Sequence, residues 1–143
     1  MSMYSQFATD QGLEKNGVVL DYGNFRVTIA RAGGSNKKFS RLLERKTKPY
    51  RRQIQNDSMD DVVADRILRE VYAESIIQNW ETLEGDKWKK GIESPDGKIL
   101  PFCNNNIFDT LTNLPELFAD IQTQASKAAL FKQTTQEDDA KNS

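Results

Sequence analysis

The sequence predicts an α+β fold: a mostly helical single domain with an N-terminal β-hairpin and a second small hairpin. Three observations predict it. Two β-branched and aromatic runs meet across Gly23-Asn24. Apolar residues recur every three or four positions from Met59 to Ile77. A turn signal, Ser94-Pro95-Asp96-Gly97, then interrupts the helical pattern before it resumes near Asn104.

The elements follow in order. Residues 1–12 are polar and read as a flexible N-terminus, so the domain is expected over 13–132. Val18 to Tyr22 and Phe25 to Ala30 form the first hairpin. Period-two alternation puts Phe25, Val27 and Ile29 on its buried face. An isolated hairpin is marginal in water, so this face must lie on helices. Ala32-Gly33-Gly34 is a strand-to-helix turn, and Ser35 or Asn36 can cap a helix running to about Lys48. Phe39, Leu42, Leu43 and the aliphatic stem of Lys46 face inward, while Lys37, Lys38, Arg41 and Arg45 face outward. Pro49 breaks or kinks this helix, and a short turn continues from Tyr50 to Gln55.

Ser58-Met59-Asp60-Asp61 matches a capping box, with Ser58 as cap of a central helix expected to reach Trp80. Segments near Trp88–Ile92 and Lys98–Leu100 are expected to pair around the Ser94–Gly97 turn. Asn104 to Asn106 lead into a short helix, and Pro115 suits the first position of the last one. Its apolar stripe is Leu117, Phe118, Ile121, Ala125 and the Ala128–Phe131 stretch. Residues 133–143 hold no large apolar side chain to offset their ordering entropy and read as a disordered polar tail.

Composition narrows the function. The 143 residues contain no histidine and one cysteine. That removes histidine-dependent nucleophile triads, histidine metal sites and internal disulfides. No apolar run approaches about 18 residues, so no membrane partner is expected. Met1 to Asp10 has neither a basic start nor an apolar stretch, so no signal peptide is expected. Asp60 and Asp61 are explained by helix capping, and Cys103 reads as a core or boundary residue. No catalytic residue, metal or cofactor is expected, and the protein reads as a binder.

Charge is uneven. Between Arg26 and Arg52 ten basic residues face one acid, Glu44, a local balance of +9 in a chain of net charge −1. Such a block can meet phosphates or an acidic protein surface. The plain alternative is a solvated face that pairs with the acidic remainder of the same molecule. Tyr50 is the one aromatic in the run free to stack on a base, so nucleic acid is not the expected partner.

The ordered motifs carry a resemblance. Leu20-Asp21-Tyr22-Gly23-Asn24-Phe25-Arg26-Val27-Thr28-Ile29-Ala30-Arg31-Ala32-Gly33-Gly34, then Lys48-Pro49-Tyr50-Arg51-Arg52, Leu68-Arg69-Glu70-Val71-Tyr72-Ala73-Glu74, Trp80-Glu81 and Leu114-Pro115-Glu116-Leu117-Phe118-Ala119-Asp120-Ile121 span about residues 7 to 132. Together they resemble the tail assembly chaperones of long-tailed, siphovirus-like bacteriophages and prophages. The resemblance implies a non-enzymatic role in the host cytoplasm, absent from the mature virion. Such proteins coat the tape measure protein before tail tube subunits polymerise, and a frameshifted longer form recruits the tube protein. Ala140-Lys141-Asn142 can be encoded by a slippery A-AAA-AAC or A-AAA-AAU heptamer, which suits such a junction. On this reading the expected partner-binding residues are Leu117, Phe118 and Ile121 on the last helix, with Lys37, Lys38, Arg41, Arg45, Arg51 and Arg52 steering an acidic partner. Homo-oligomerisation is compatible with the sequence. The alternatives are a virion structural protein of the tail or connector, and a small nucleic-acid-binding regulator using residues 37–52.

Overall fold

A computed structural model describes residues 2–132. The expected polar tail, its Glu137-Asp138-Asp139 run and the Ala140–Asn142 junction lie outside the described residues. The fold is α+β. Its elements are α1 (Met3–Phe7), α2 (Gln11–Asn16), β1 (Val18–Asp21), β2 (Phe25–Ile29), α3 (Lys37–Thr47), a 3₁₀ turn (Lys48–Tyr50) and α4 (Arg51–Gln55). Then come α5 (Asp61–Ser75), β3 (Ile77–Glu84), β4 (Lys87–Lys90), β5 (Ile92–Glu93), β6 (Ile99–Leu100), α6 (Asn104–Asn113), α7 (Pro115–Ala125) and a closing 3₁₀ turn (Ala128–Phe131).

The N-terminal hairpin forms as its sequence requires. Val18 pairs with Ile29 and Leu20 with Val27, and Gly23 takes the positive φ of 94° that the turn needs. β2 then takes β3 as its other neighbour, giving an antiparallel sheet in the order β1-β2-β3-β4. Here the structure departs from the sequence pattern. The apolar period suggests a helix as far as Trp80, but α5 stops at Ser75 and Ile77 begins a strand. The open side of β2 decides the matter. Trp80 sits opposite Val27, and Thr82 opposite Phe25, where Thr82 also donates to the Gly91 carbonyl at 2.8 Å. Pairing of β-branched and aromatic residues outweighs a helical period that Ile76 and Ile77 satisfy equally well.

Two local differences have simple causes. Asp60, not Ser58, caps α5, its carboxylate accepting from the Val62 N–H at 2.8 Å. Where composition suggests a flexible lead, α1 and α2 form short helical turns, each started by a side-chain cap from Ser2 and Asp10. The second small hairpin is present as β5 paired with β6, while Trp88 belongs to β4 and pairs with Leu83.

The core lies between the sheet and the later helices. Val27, Ile29 and Trp80 meet Tyr72 of α5 and Ile76 at its C-cap, Ile107 and Leu111 of α6, Phe118 and Ile121 of α7, and Phe131. Tyr72 joins two helices by edge-on contacts, to Phe39 at 5.9 Å and to Phe118 at 5.3 Å. Backbone bonds fix the ends: Ala32 N–H to Ala125 carbonyl at 2.9 Å, and Asp10 N–H to Phe131 carbonyl at 2.8 Å. A smaller cluster of Leu42, Ile67 and Val71 holds α3 on α5.

Candidate functional site

The basic run supplies the largest charged feature, and its local folding explains where it points. Asn36 does not cap α3 with its side chain. Its amide donates instead to the Arg31 carbonyl at 2.9 Å and the Ser75 carbonyl at 3.3 Å, tying the start of α3 to the end of α5. Leu42 is buried and Phe39 leans on Tyr72, so one face of α3 is committed to α5. The opposite face is left to solvent. Lys37, Lys38, Arg41 and Arg45 are all exposed, as are Arg51 and Arg52 on α4. Pro49 does not end the path. It sits in the 3₁₀ turn, which carries the chain from α3 into α4.

The ten cations of the run then divide. Arg26 pairs with Glu81 at 2.8 Å, Arg31 with Glu14 at 2.5 Å, and Lys46 with Glu70 at 2.9 Å. The other seven, Lys37, Lys38, Arg41, Arg45, Lys48, Arg51 and Arg52, form no ion pair among the described residues. Internal neutralisation, the plain reading of the sequence, therefore holds for three of the ten among those residues. Lys38, Arg41 and Arg45 follow a three-four spacing that makes one stripe along α3, and Lys48, Arg51 and Arg52 carry the charge on through the 3₁₀ turn and Tyr50, where the helical dihedrals are interrupted, into α4. Shallow hollows line it. One of about 370 Å³ is bordered by Lys15, Lys37, Lys38 and Arg41, and one of about 290 Å³ by Lys38, Arg41, Arg45 and Glu74. A third, of about 190 Å³, brings Ile54 beside Lys48 and Arg51. Tyr50, the one aromatic expected to be free, packs against the Leu42 cluster instead.

The other expected surface is differently placed. Ile121 is 0% exposed and Phe118 7%, and Leu117 is half-buried against the same core. As folded, these three offer a partner no open groove. Periodicity reports that a stripe is apolar, not what covers it. Beside this stripe Leu114, at the start of α7, reaches solvent, and other exposed apolar side chains lie elsewhere. Met3, Tyr4 and Phe7 are exposed on α1, which buries no residue, and Ile54 and Val62 are exposed on α4 and in the first turn of α5. Their signal was faint: α1 is one helical turn, and Val62 shares the period of the core stripe. Cys103, expected in the core or at its boundary, is exposed at the cap of α6, because the α6 stripe of Ile107 and Leu111 begins one turn later.

One acid is buried. Glu14 on α2 is 2% exposed and takes hydrogen bonds from Arg31 and from the Ser35 hydroxyl at 3.0 Å. Burial works to raise its pKa, but donors from Arg31, Ser35 and Thr9 outweigh that and hold it below the usual carboxylate value. A carboxylate so satisfied ties α2 to the turn before α3. Gly34 serves the same tie. It has φ of 53°, and a Cβ there would collide with a Glu14 carboxylate oxygen. On α7, Asp120 accepts from the Tyr22 hydroxyl at 2.6 Å; burial first, and that carboxylate second, raise the Tyr22 pKa.

Among the described residues no group of three or more Cys, Asp or Glu side chains is gathered to hold a metal ion. No helix there is long and apolar enough to cross a membrane. Asp60 spends its carboxylate on the α5 cap. The geometry thus brings together cations for electrostatic contact.

A sequence model of the family described as YdaY prophage protein matches residues 34–142, which is more than half of the chain. No curated protein and no solved structure matches.

Proposed function

The chain belongs to the YdaY prophage protein family, and from that premise we propose that it is a tail assembly chaperone. It binds the tape measure protein in the host cytoplasm, without catalysis, and leaves before the virion matures. Prophage membership supports the setting, and the ordered motifs from Leu20 to Ile121 resemble those of such chaperones.

The observation that carries the reading is the basic face of α3 and α4. Seven exposed cations without an ion pair among the described residues form a surface ready for an acidic partner. Long-range attraction from such a face speeds encounter and is screened by salt. Phe118 and Ile121 are buried in the core, which supports reading the exposed α3–α4 face rather than α7 as the client contact. A longer form read through Ala140-Lys141-Asn142 would add a segment for the tube protein beyond the matched region.

The test is co-expression with the long helical protein encoded nearby, followed by pulldown and a solubility assay. The client is expected to stay soluble only when this protein is present. A client that stays dispersed and builds normal tails without it overturns the reading. Finding the protein in purified virions would favour the structural alternative. The codons at Ala140–Asn142 decide the frameshift: without the heptamer and an overlapping frame, the longer form is dropped.

A further inference from the structure

The α3–α4 face says what kind of client segment it fits. A groove that binds an amphipathic helix draws its affinity from apolar anchors. This face has almost none. Phe39, Leu42, Leu43 and Tyr50 all turn into the α3–α5 cluster, and Ile54, 47% exposed, is the apolar side chain left beside Lys48 and Arg51. What recurs instead is charge. From Lys38 to Arg52 the stripe runs about 20 Å, at roughly 1.5 Å per residue.

Two kinds of polyanion match that spacing, and the surroundings separate them. Just past Arg52, the α4–α5 corner exposes Asp57, Asp60, Asp61 and Asp65, and Glu44 and Glu74 flank the stripe. A nucleic-acid duplex presents phosphates over a broad front, which the flanking carboxylates disfavour. A slender helix can lay one acidic line along the stripe. It can also place a cation against the aspartates, which fixes its direction as well as its register. Tyr50 is packed away and offers no platform for an unpaired base.

We propose that the α3–α4 face docks a helical client segment whose acidic residues recur every three or four positions, with a basic end seated at the Asp57–Asp65 corner. This rests on the chaperone reading for the identity of the client, but not for the chemistry of the contact.

The probe is a designed helical peptide of about 20 residues, with glutamates along one face and lysines at one end. Two controls accompany it: a peptide of the same composition with the glutamates spread around the helix, and a short DNA duplex. Binding is read by fluorescence anisotropy on the full chain at several salt concentrations. The striped peptide is expected to bind about tenfold more tightly than the spread one, and to weaken steeply with salt. Arg41→Glu combined with Arg45→Glu should cost about tenfold or more in affinity, with an unchanged circular dichroism spectrum because both side chains are exposed. Equal binding of the spread peptide, tighter binding of the duplex, or an unaffected double variant overturns the proposal. The same variant co-expressed with the tape measure protein separates the two ideas. If both wild type and variant keep the client soluble, the docking face is wrong and the chaperone reading stands. If neither does, the chaperone reading falls and the peptide measurement still decides the docking face.

Discussion

Arg31 and Arg41 come from one basic run and meet opposite fates. Arg31 reaches a carboxylate that is 2% exposed, at a corner where α2, the β2 end and the start of α3 converge. Arg41 stands on the outer face of α3, lining a hollow with Glu74 but forming no ion pair among the described residues. The same contrast divides the two surfaces that looked functional in the sequence. The α7 stripe is committed, with Phe118 against Tyr72 and Ile121 fully buried. The α3–α4 stripe is not. A committed side chain holds the fold together, and its loss is felt everywhere in the molecule. An uncommitted one can be changed at little expense to stability, which leaves it free to serve a partner.

The largest effect should come from breaking the committed side. Phe118→Ala removes an aromatic from the Tyr72 contact and leaves a cavity, and is expected to destabilise by about 4 kcal/mol. The denaturation midpoint in urea is the measurement. If α7 were instead a client surface, that midpoint would hardly move and client binding alone would drop.

Next comes Arg31→Ala, which strands the Glu14 carboxylate in a buried site. Breaking a buried pair from one side costs about 3 kcal/mol or more, because the remaining charge is left unpaired. The same denaturation experiment checks it. A loss no greater than that of an exposed arginine would mean that water reaches Glu14 and that the corner is not closed.

The pH profile sharpens the point. The Glu14 carboxyl lies lower in the folded chain than its ordinary value of 4.5. Its contribution is therefore fully present above that value and is lost as pH falls toward and through the lower folded one. The unfolded chain binds the proton first, so acid favours unfolding. Stability should fall below pH 4.5 in the wild type, and the Glu14 part of that fall should shrink in Arg31→Ala, where the lowering partner is gone. An identical acid profile in both proteins would assign the loss to other groups.

The same contrast explains what the sequence could reveal. The first hairpin, α3, the start of α7 at Pro115 and the β5–β6 turn were legible because their signals are local: Gly23-Asn24, the Gly33-Gly34 break, Pro115 and Ser94–Gly97. β3 was not, because Ile76, Ile77 and Trp80 fit a helical period, and the open side of β2 that claims them is a tertiary fact. The candidate site divides in the same way. The seven cations were legible as charges, but whether each had a partner depended on where Glu14, Glu70 and Glu81 fell in the fold. For Phe118 and Ile121 the stripe was legible and its cover was not.

The smallest expected effect on stability is the most telling about function. Arg41 and Arg45 are neighbours at i and i+4 on α3, and like charges at that spacing repel by a few tenths of a kcal/mol. No carboxylate among the described residues offsets that repulsion by pairing with either side chain. Against that stand the favourable place of Arg45 in the last turn of α3 and the nearby Glu74. Replacing both with glutamine should therefore leave stability within about 0.5 kcal/mol of wild type. Client capture should weaken all the same. A change neutral to stability that impairs binding is the signature of charges held for a partner. If instead the double glutamine variant is clearly less stable, Arg41 and Arg45 are committed after all, and the division between the two regions fails at its centre.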